Sequence, residues 1–97
     1  MDEKKYVIHC YFTNHVASRA ELLDRLTLLL EERVPGAYRL EVMDVLENAA
    51  KAVADDVFAT PTIIRVRPEP KQLLFGDIGD PRRVLAALGV TGNEPTA

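Results

Sequence analysis

The 97-residue sequence has a single cysteine, Cys10, and no tryptophan. One cysteine cannot close an intramolecular disulfide, so neither a disulfide-stapled secreted scaffold nor a dithiol redox pair is available. No apolar run approaches the roughly 20 residues of a membrane-spanning helix. The charged start Met1-Asp2-Glu3-Lys4-Lys5 leads into only a short apolar stretch. It lacks the apolar core and small-residue cleavage site of a secretory signal. These absences point to a reducing cytoplasm. A basic excess is lacking too: the formal net charge is −3 and the pI about 5.3, which argues against a general nucleic-acid binder. Histidine is sparse, with only His9 and His15, and their surroundings do not have the ligand spacing of a metal site.

What is present suits one small globular domain spanning 1–97. Hydrophobic residues make up 47% and charged residues 28%, the balance of a chain with a real but small core. The pattern predicts order over about 5–89 and a flexible tail over 90–97. So small a core would gain from oligomerisation, and monomer, dimer and tetramer all remain open.

Tyr6 to Phe12 reads as a strand with Tyr6, Ile8, Cys10 and Phe12 on one face and Val7, His9 and Tyr11 on the other. Both faces are largely apolar, which predicts a central strand. From Ala17 to about Arg33, Leu22, Leu23, Leu26, Leu29 and Leu30 make the buried stripe of a helix. Thr13, Asn14 or Ser18 would cap it, and Pro35-Gly36 would stop it. Tyr38 to Asp44 is a second strand, parallel to the first because a long helix connects them. Val45 to Val57 predicts a short helix burying Leu46, Ala49, Ala50, Val53 and Val57, although Asp55-Asp56 ends it badly for the helix dipole. Thr62 to Arg67 and Lys71 to Phe75 flank the turn Pro68-Glu69-Pro70 as a hairpin. Asp80-Pro81 opens a last helix with Val84, Leu85 and Leu88 inward, and Gly89 stops it.

Chemistry-bearing clusters are few. Asp55-Asp56 reads as a solvated acidic pair with no histidine or serine constellation beside it. Gly76-Asp77-Ile78-Gly79 lacks the lysine and spacing of a phosphate loop and reads as a turn. Arg65, Arg67 and Lys71 gather on the hairpin. They form either a solvated outer face or a contact surface for an acidic partner, and the hairpin's outer strand is an edge that a partner strand could extend. The reading calls for no catalytic residue, cofactor or metal.

Phe58-Ala59-Thr60-Pro61-Thr62-Ile63-Ile64 places a proline at the mouth of a strand, where it costs no ladder hydrogen bond. A Thr-Pro pair there, following β-α-β, is how thioredoxin-like domains place their cis-proline, so Pro61 is the cis-proline candidate. The element order β-α-β-α-β-β-α is the thioredoxin-like α/β topology, here without Cys-x-x-Cys.

The chain also resembles the KaiB family from about Lys5 to Leu88. Lys5-Tyr6-Val7-Ile8 with Tyr11 is similar to the family's opening Tyr-x-Leu-x-Leu-Tyr strand. Gly36-x-Tyr38-x-Leu40, Met43-Asp44-Val45-Leu46-x-Asn48 and Ala59-Thr60-Pro61-Thr62 match family segments in order. Pro68-x-Pro70 followed by Gly76-Asp77-Ile78 completes the set. The resemblance implies a non-enzymatic binding module that docks on a KaiC-type ATPase in a circadian, timing or stress system. It also implies two folds of one sequence, a thioredoxin-like form and a ground-state form with a rearranged second half. A related domain forms the sensor end of a clock histidine kinase, so a sensor-type module of a two-component pathway is one alternative, and a thioredoxin-like redox protein using Cys10 is another. The expected contact surface combines Asp55, Asp56, Arg65 and Arg67. Asp56 stands where the cyanobacterial pattern has lysine, Gln72-Leu73 where it has an arginine pair, and Asn14-His15-Val16-Ala17 where it has Gly-Asn-Thr-Pro. Ala87-Leu88-Gly89 replaces Gly-Leu-Asp. Alanine inside a helix and glycine at its end both favour a C-terminal helix, hence the thioredoxin-like form at rest.

Overall fold

The computed structural model describes residues 4–13, 17–75 and 80–90. Seven elements follow in chain order: β1 (Tyr6–Phe12), α1 (Ala17–Arg33), β2 (Tyr38–Asp44), α2 (Ala49–Ala54), β3 (Thr62–Arg67), β4 (Gln72–Phe75) and α3 (Pro81–Ala87). The four strands form one sheet in the order β2-β1-β3-β4. β1 runs parallel to β2 and antiparallel to β3, and β3 pairs antiparallel with β4. This is the thioredoxin-like arrangement.

β1 is central, and its alternation feeds two cores. Tyr6, Ile8, Cys10 and Phe12 join Leu26 and Leu30 of α1 and Val84, Leu85 and Leu88 of α3 on one face. On the other face Tyr11 packs with Met43, Ala52, Val57 and Ile64 under α2. The α1 stripe is as the leucine spacing dictates: Leu26 and Leu30 are fully buried, and Leu22, Leu23 and Leu29 pack partly against them. Burying each leucine fully contributes about 2 kcal/mol. Glu21 and Arg25 pair at 2.8 Å on the solvent side.

α3 follows its sequence signals closely. The Asp80 side chain accepts the Arg82 amide hydrogen, and Pro81 takes the first turn. At the other end Gly89 adopts φ 73°, with Gly89 N donating to Ala86 O and Val90 N to Leu85 O. Those two bonds are a Schellman motif, and fully buried Val90 supplies its apolar contact.

α2 departs from the expectation at both its start and its face. It begins at Ala49 rather than Val45, because Asp44 folds the preceding residues into a turn. Its Oδ1 accepts from Leu46 N at 2.8 Å, and its carbonyl accepts from Glu47 N and Asn48 N. Such local side-chain bonding competes with helix. The expected buried stripe is largely outside: Leu46 and Val53 are each 73% exposed, and Ala52 is the one buried residue of the helix. α2 ends with Asp56 at φ 64°, closed by Asp56 N to Val53 O and Val57 N to Ala52 O. This is the Schellman geometry again, with aspartate where glycine is usual. Gly76–Gly79, His15 and residues 91–97 lie outside the described residues, whereas Val90, expected at the start of a flexible 90–97 tail, is fully buried against the α1–α3 core.

Candidate functional site

Two side chains of β1 that point to the α2 face, His9 and Tyr11, converge on Asp55 just past the end of α2. His9 Nδ1 donates to Asp55 Oδ2 at 2.8 Å, and the Tyr11 hydroxyl donates to the same oxygen at 2.6 Å. All three groups are buried. The other carboxylate oxygen lies 3.7 Å from Lys71 Nζ, which also donates to the Ala54 carbonyl at 3.2 Å. On the far side His9 Nε2 faces Glu41 Oε1 at 3.7 Å, and Glu41 lies within 3.6 Å of Lys51 and 3.5 Å of Arg39. Charged and hydrogen-bonding side chains therefore cross the face in a row from the hairpin to β2.

The row decides protonation. Burial alone would raise the Asp55 carboxyl. The hydrogen bonds from His9 and Tyr11, and the charges of His9 and Lys71, outweigh it and hold the group below its ordinary 3.8. Burial first, then the hydrogen bond and charge of Asp55 and the charge of Glu41, push the Tyr11 phenol well above its ordinary 10.0. Tyr11 thus remains a donor and Asp55 an acceptor. Chemically the cluster fastens α2 to the central strand. Lys71 completes it by setting a cation on the helix C-terminus, which answers the dipole objection to the acidic ending. Among the described residues no group of three or more His, Cys, Asp or Glu could hold a metal ion.

The sequence reading of Asp55 as solvated is corrected here: it is 7% exposed and hydrogen-bonded to a histidine 46 residues away. Arg65 is likewise inward rather than on the outer face. It is 9% exposed, its Nη1 donates to Leu88 O at 2.9 Å and its Nη2 to Pro70 O at 2.9 Å, and its Nε is buried without a hydrogen-bond partner. It bolts β3 to the end of α3 and to the hairpin turn. Asp56 and Arg67 are exposed. The Thr60–Pro61 peptide is cis, as are Arg67–Pro68 and Glu69–Pro70. Thr13 Oγ1 lies 3.0 Å from Thr60 Oγ1 and ties the end of β1 to the entrance of β3.

His9, Tyr11, Glu41, Lys51 and Lys71 were not singled out as a group from the sequence. Two polar side chains on one face of a central strand were a usable signal, since buried polar groups require partners. Where the partner would come from was not readable.

A family model described as the KaiB domain matches residues 9–90. A circadian clock oscillator protein KaiB of Microcystis aeruginosa is 36% identical over 92 residues, covering 95% of this chain and 88% of that protein. One from Nostoc is 36% identical over 93 residues, covering 96% and 86%. Among solved structures, mitochondrial thioredoxin 3 of Saccharomyces cerevisiae superposes with a TM-score of 0.68 at 16% identity, covering 91% of this chain and 80% of that one. The N-terminal domain of Synechococcus elongatus SasA gives 0.66 at 15% identity, covering 89% and 85%. These structural likenesses show the thioredoxin-like fold.

Proposed function

The chain belongs to the KaiB family, and from that membership we propose that it is a cytoplasmic, non-enzymatic binding module that docks on a KaiC-type ATPase in a clock or timing system. One observation carries the reading: the KaiB match runs through 9–90 of 97 residues, so the scaffold, both helical faces and the hairpin are all family sequence. Cys10 supports a binding rather than a redox role, because it sits fully buried inside β1 instead of at a strand's end.

In this proposal the second half of the chain supplies the contact. Exposed Asp56 and Arg67 touch the partner, while Asp55 and Arg65 act from beneath, holding the end of α2 and the hairpin in place. The thioredoxin-like form is the docking form and the resting form.

The test is binding of the purified chain to a KaiC-type ATPase from the same host, by interferometry and gel filtration. Arg67→Glu should weaken the complex with an unchanged circular dichroism spectrum, and Cys10→Ser should bind as the parent does. Co-purification of a histidine kinase without any such ATPase would favour a two-component sensor module instead. Turnover of a thiol substrate that Cys10→Ser abolishes would favour a redox protein.

A further inference from the structure

Arg65 and Arg67 both belong to β3, yet Arg65 is buried and Arg67 exposed. Arg65 stands opposite Ile8 of β1 and two residues after Ile63, so its side chain leaves the strand on the α1–α3 face. Val66 beside it is the extra residue of a bulge, because consecutive Val7 and Ile8 pair with Arg67 and Arg65. Bulges bend a strand and re-aim its side chains.

On that face one guanidinium meets two backbone segments far apart in the chain. Nη1 donates to Leu88 O at the C-terminal end of α3, and Nη2 donates to Pro70 O in the hairpin turn, each at 2.9 Å. The group also lies against Gly89, where a Cβ would approach Nη1 to 2.8 Å. The turn at 68–70 is itself exposed, so its hold on the body of the protein runs through this bond.

A guanidinium is planar and rigid, and its two Nη groups move together. Its charge is buried, and taking away one partner of a buried charge costs more than breaking a neutral surface bond. If α3 lifted its last turn, Arg65 would lose Leu88 O together with the helix end whose dipole favours a cation there. The guanidinium would turn to water and release Pro70 O as well. A turn that lifted first would draw it out of α3 in the same way. Lys71 gives the contrast on the opposite face. Its ammonium reaches Ala54 O at 3.2 Å and Asp55 Oδ1 at 3.7 Å, but the residue is exposed and water replaces either partner at little cost.

We propose that Arg65 is a clasp that makes the hairpin turn and the C-terminal end of α3 open and close as one unit. Coupling of this kind is reciprocal, so a partner that grips the exposed turn also steadies the end of α3. This does not depend on which protein is the partner in the reading above.

The test is native-state amide exchange on the ¹⁵N-labelled full chain, with the perturbation placed away from the clasp. Asp80→Ala removes the cap at the opposite end of α3, where Asp80 accepts from Arg82 N. Loss of such a cap should speed the opening of α3 about fivefold. The same factor should appear at the amides of Arg67, Lys71 and Gln72, which flank the turn, and in the exchange of the Arg65 side-chain N–H protons, but not at α2 or β1. In an Arg65→Lys background, which keeps the charge and loses the fork, α3 should still respond to Asp80→Ala while the turn no longer does. α3 also packs on β4, with Leu74 in the shared core, and transmission by that contact would survive Arg65→Lys. The proposal is overturned if the turn responds equally in that background, if it ignores Asp80→Ala in the parent, or if β1 shifts by the same factor, which would mean that the whole molecule opens at once.

Discussion

Asp55 takes two short hydrogen bonds on one oxygen, and its value lies in being charged. Asp55→Asn keeps the shape but puts an amide where two donors expect a carboxylate, so equilibrium denaturation should show a loss of about 1–3 kcal/mol. Because folding holds this carboxyl below 3.8, its contribution is present above the unfolded value and is lost as pH falls through the folded one. The parent should therefore lose stability on acidification below about pH 4, and Asp55→Asn should show a shallower acid limb. Two phenols shape the alkaline limb, buried Tyr11 and the more accessible Tyr38. The hydrogen bond from Tyr38 to Glu31 at 2.6 Å, then burial, then the charge of Glu31 push the Tyr38 phenol up to about 12. Its stabilisation is complete below the unfolded value of 10.0 and fades as pH rises towards about 12. Tyr38→Phe should make the loss across that window shallower, with Tyr11 supplying the remaining slope, measured by urea titration at successive pH values.

The two short helices are attached by different forces. α3 buries Pro81, Val84 and Leu85, with Leu88 at its cap, and ends on a glycine whose backbone conformation disfavours a side chain. A Cβ on Gly89 would meet Arg65 Nη1 at 2.8 Å, and its φ of 73° disfavours any side chain. Gly89→Ala should cost about 1–3 kcal/mol, seen as a lowered denaturation midpoint and faster amide exchange over the last turn of α3. α2 buries Ala52 alone and depends on the Asp55 cluster for the rest. Its amides should exchange before those of β1 and β3, since few apolar contacts oppose its opening. Asp55→Asn should widen that gap, and exchange measured by mass spectrometry would show it.

At the scale of the molecule, Cys10 reports on the whole sheet, since it lies fully buried in the strand that both cores share. Its alkylation rate should follow denaturant with the slope of global unfolding, whereas reaction at a much shallower slope would mean that the sheet opens locally. The amino-acid sequence by itself determined the element order, the inward leucines of α1, the capping of α3 and the two-sided burial of β1. Each of these follows from spacing within a few residues, where backbone geometry alone decides which side chains share a face. Only the tertiary structure decided which face α2 presents and that Asp55 and Arg65 are inward. Six residues of α2 are too few for apolar periodicity to fix its rotation. Its orientation comes instead from a carboxylate meeting two β1 side chains 44 and 46 residues away, a pairing that exists only once the sheet has closed.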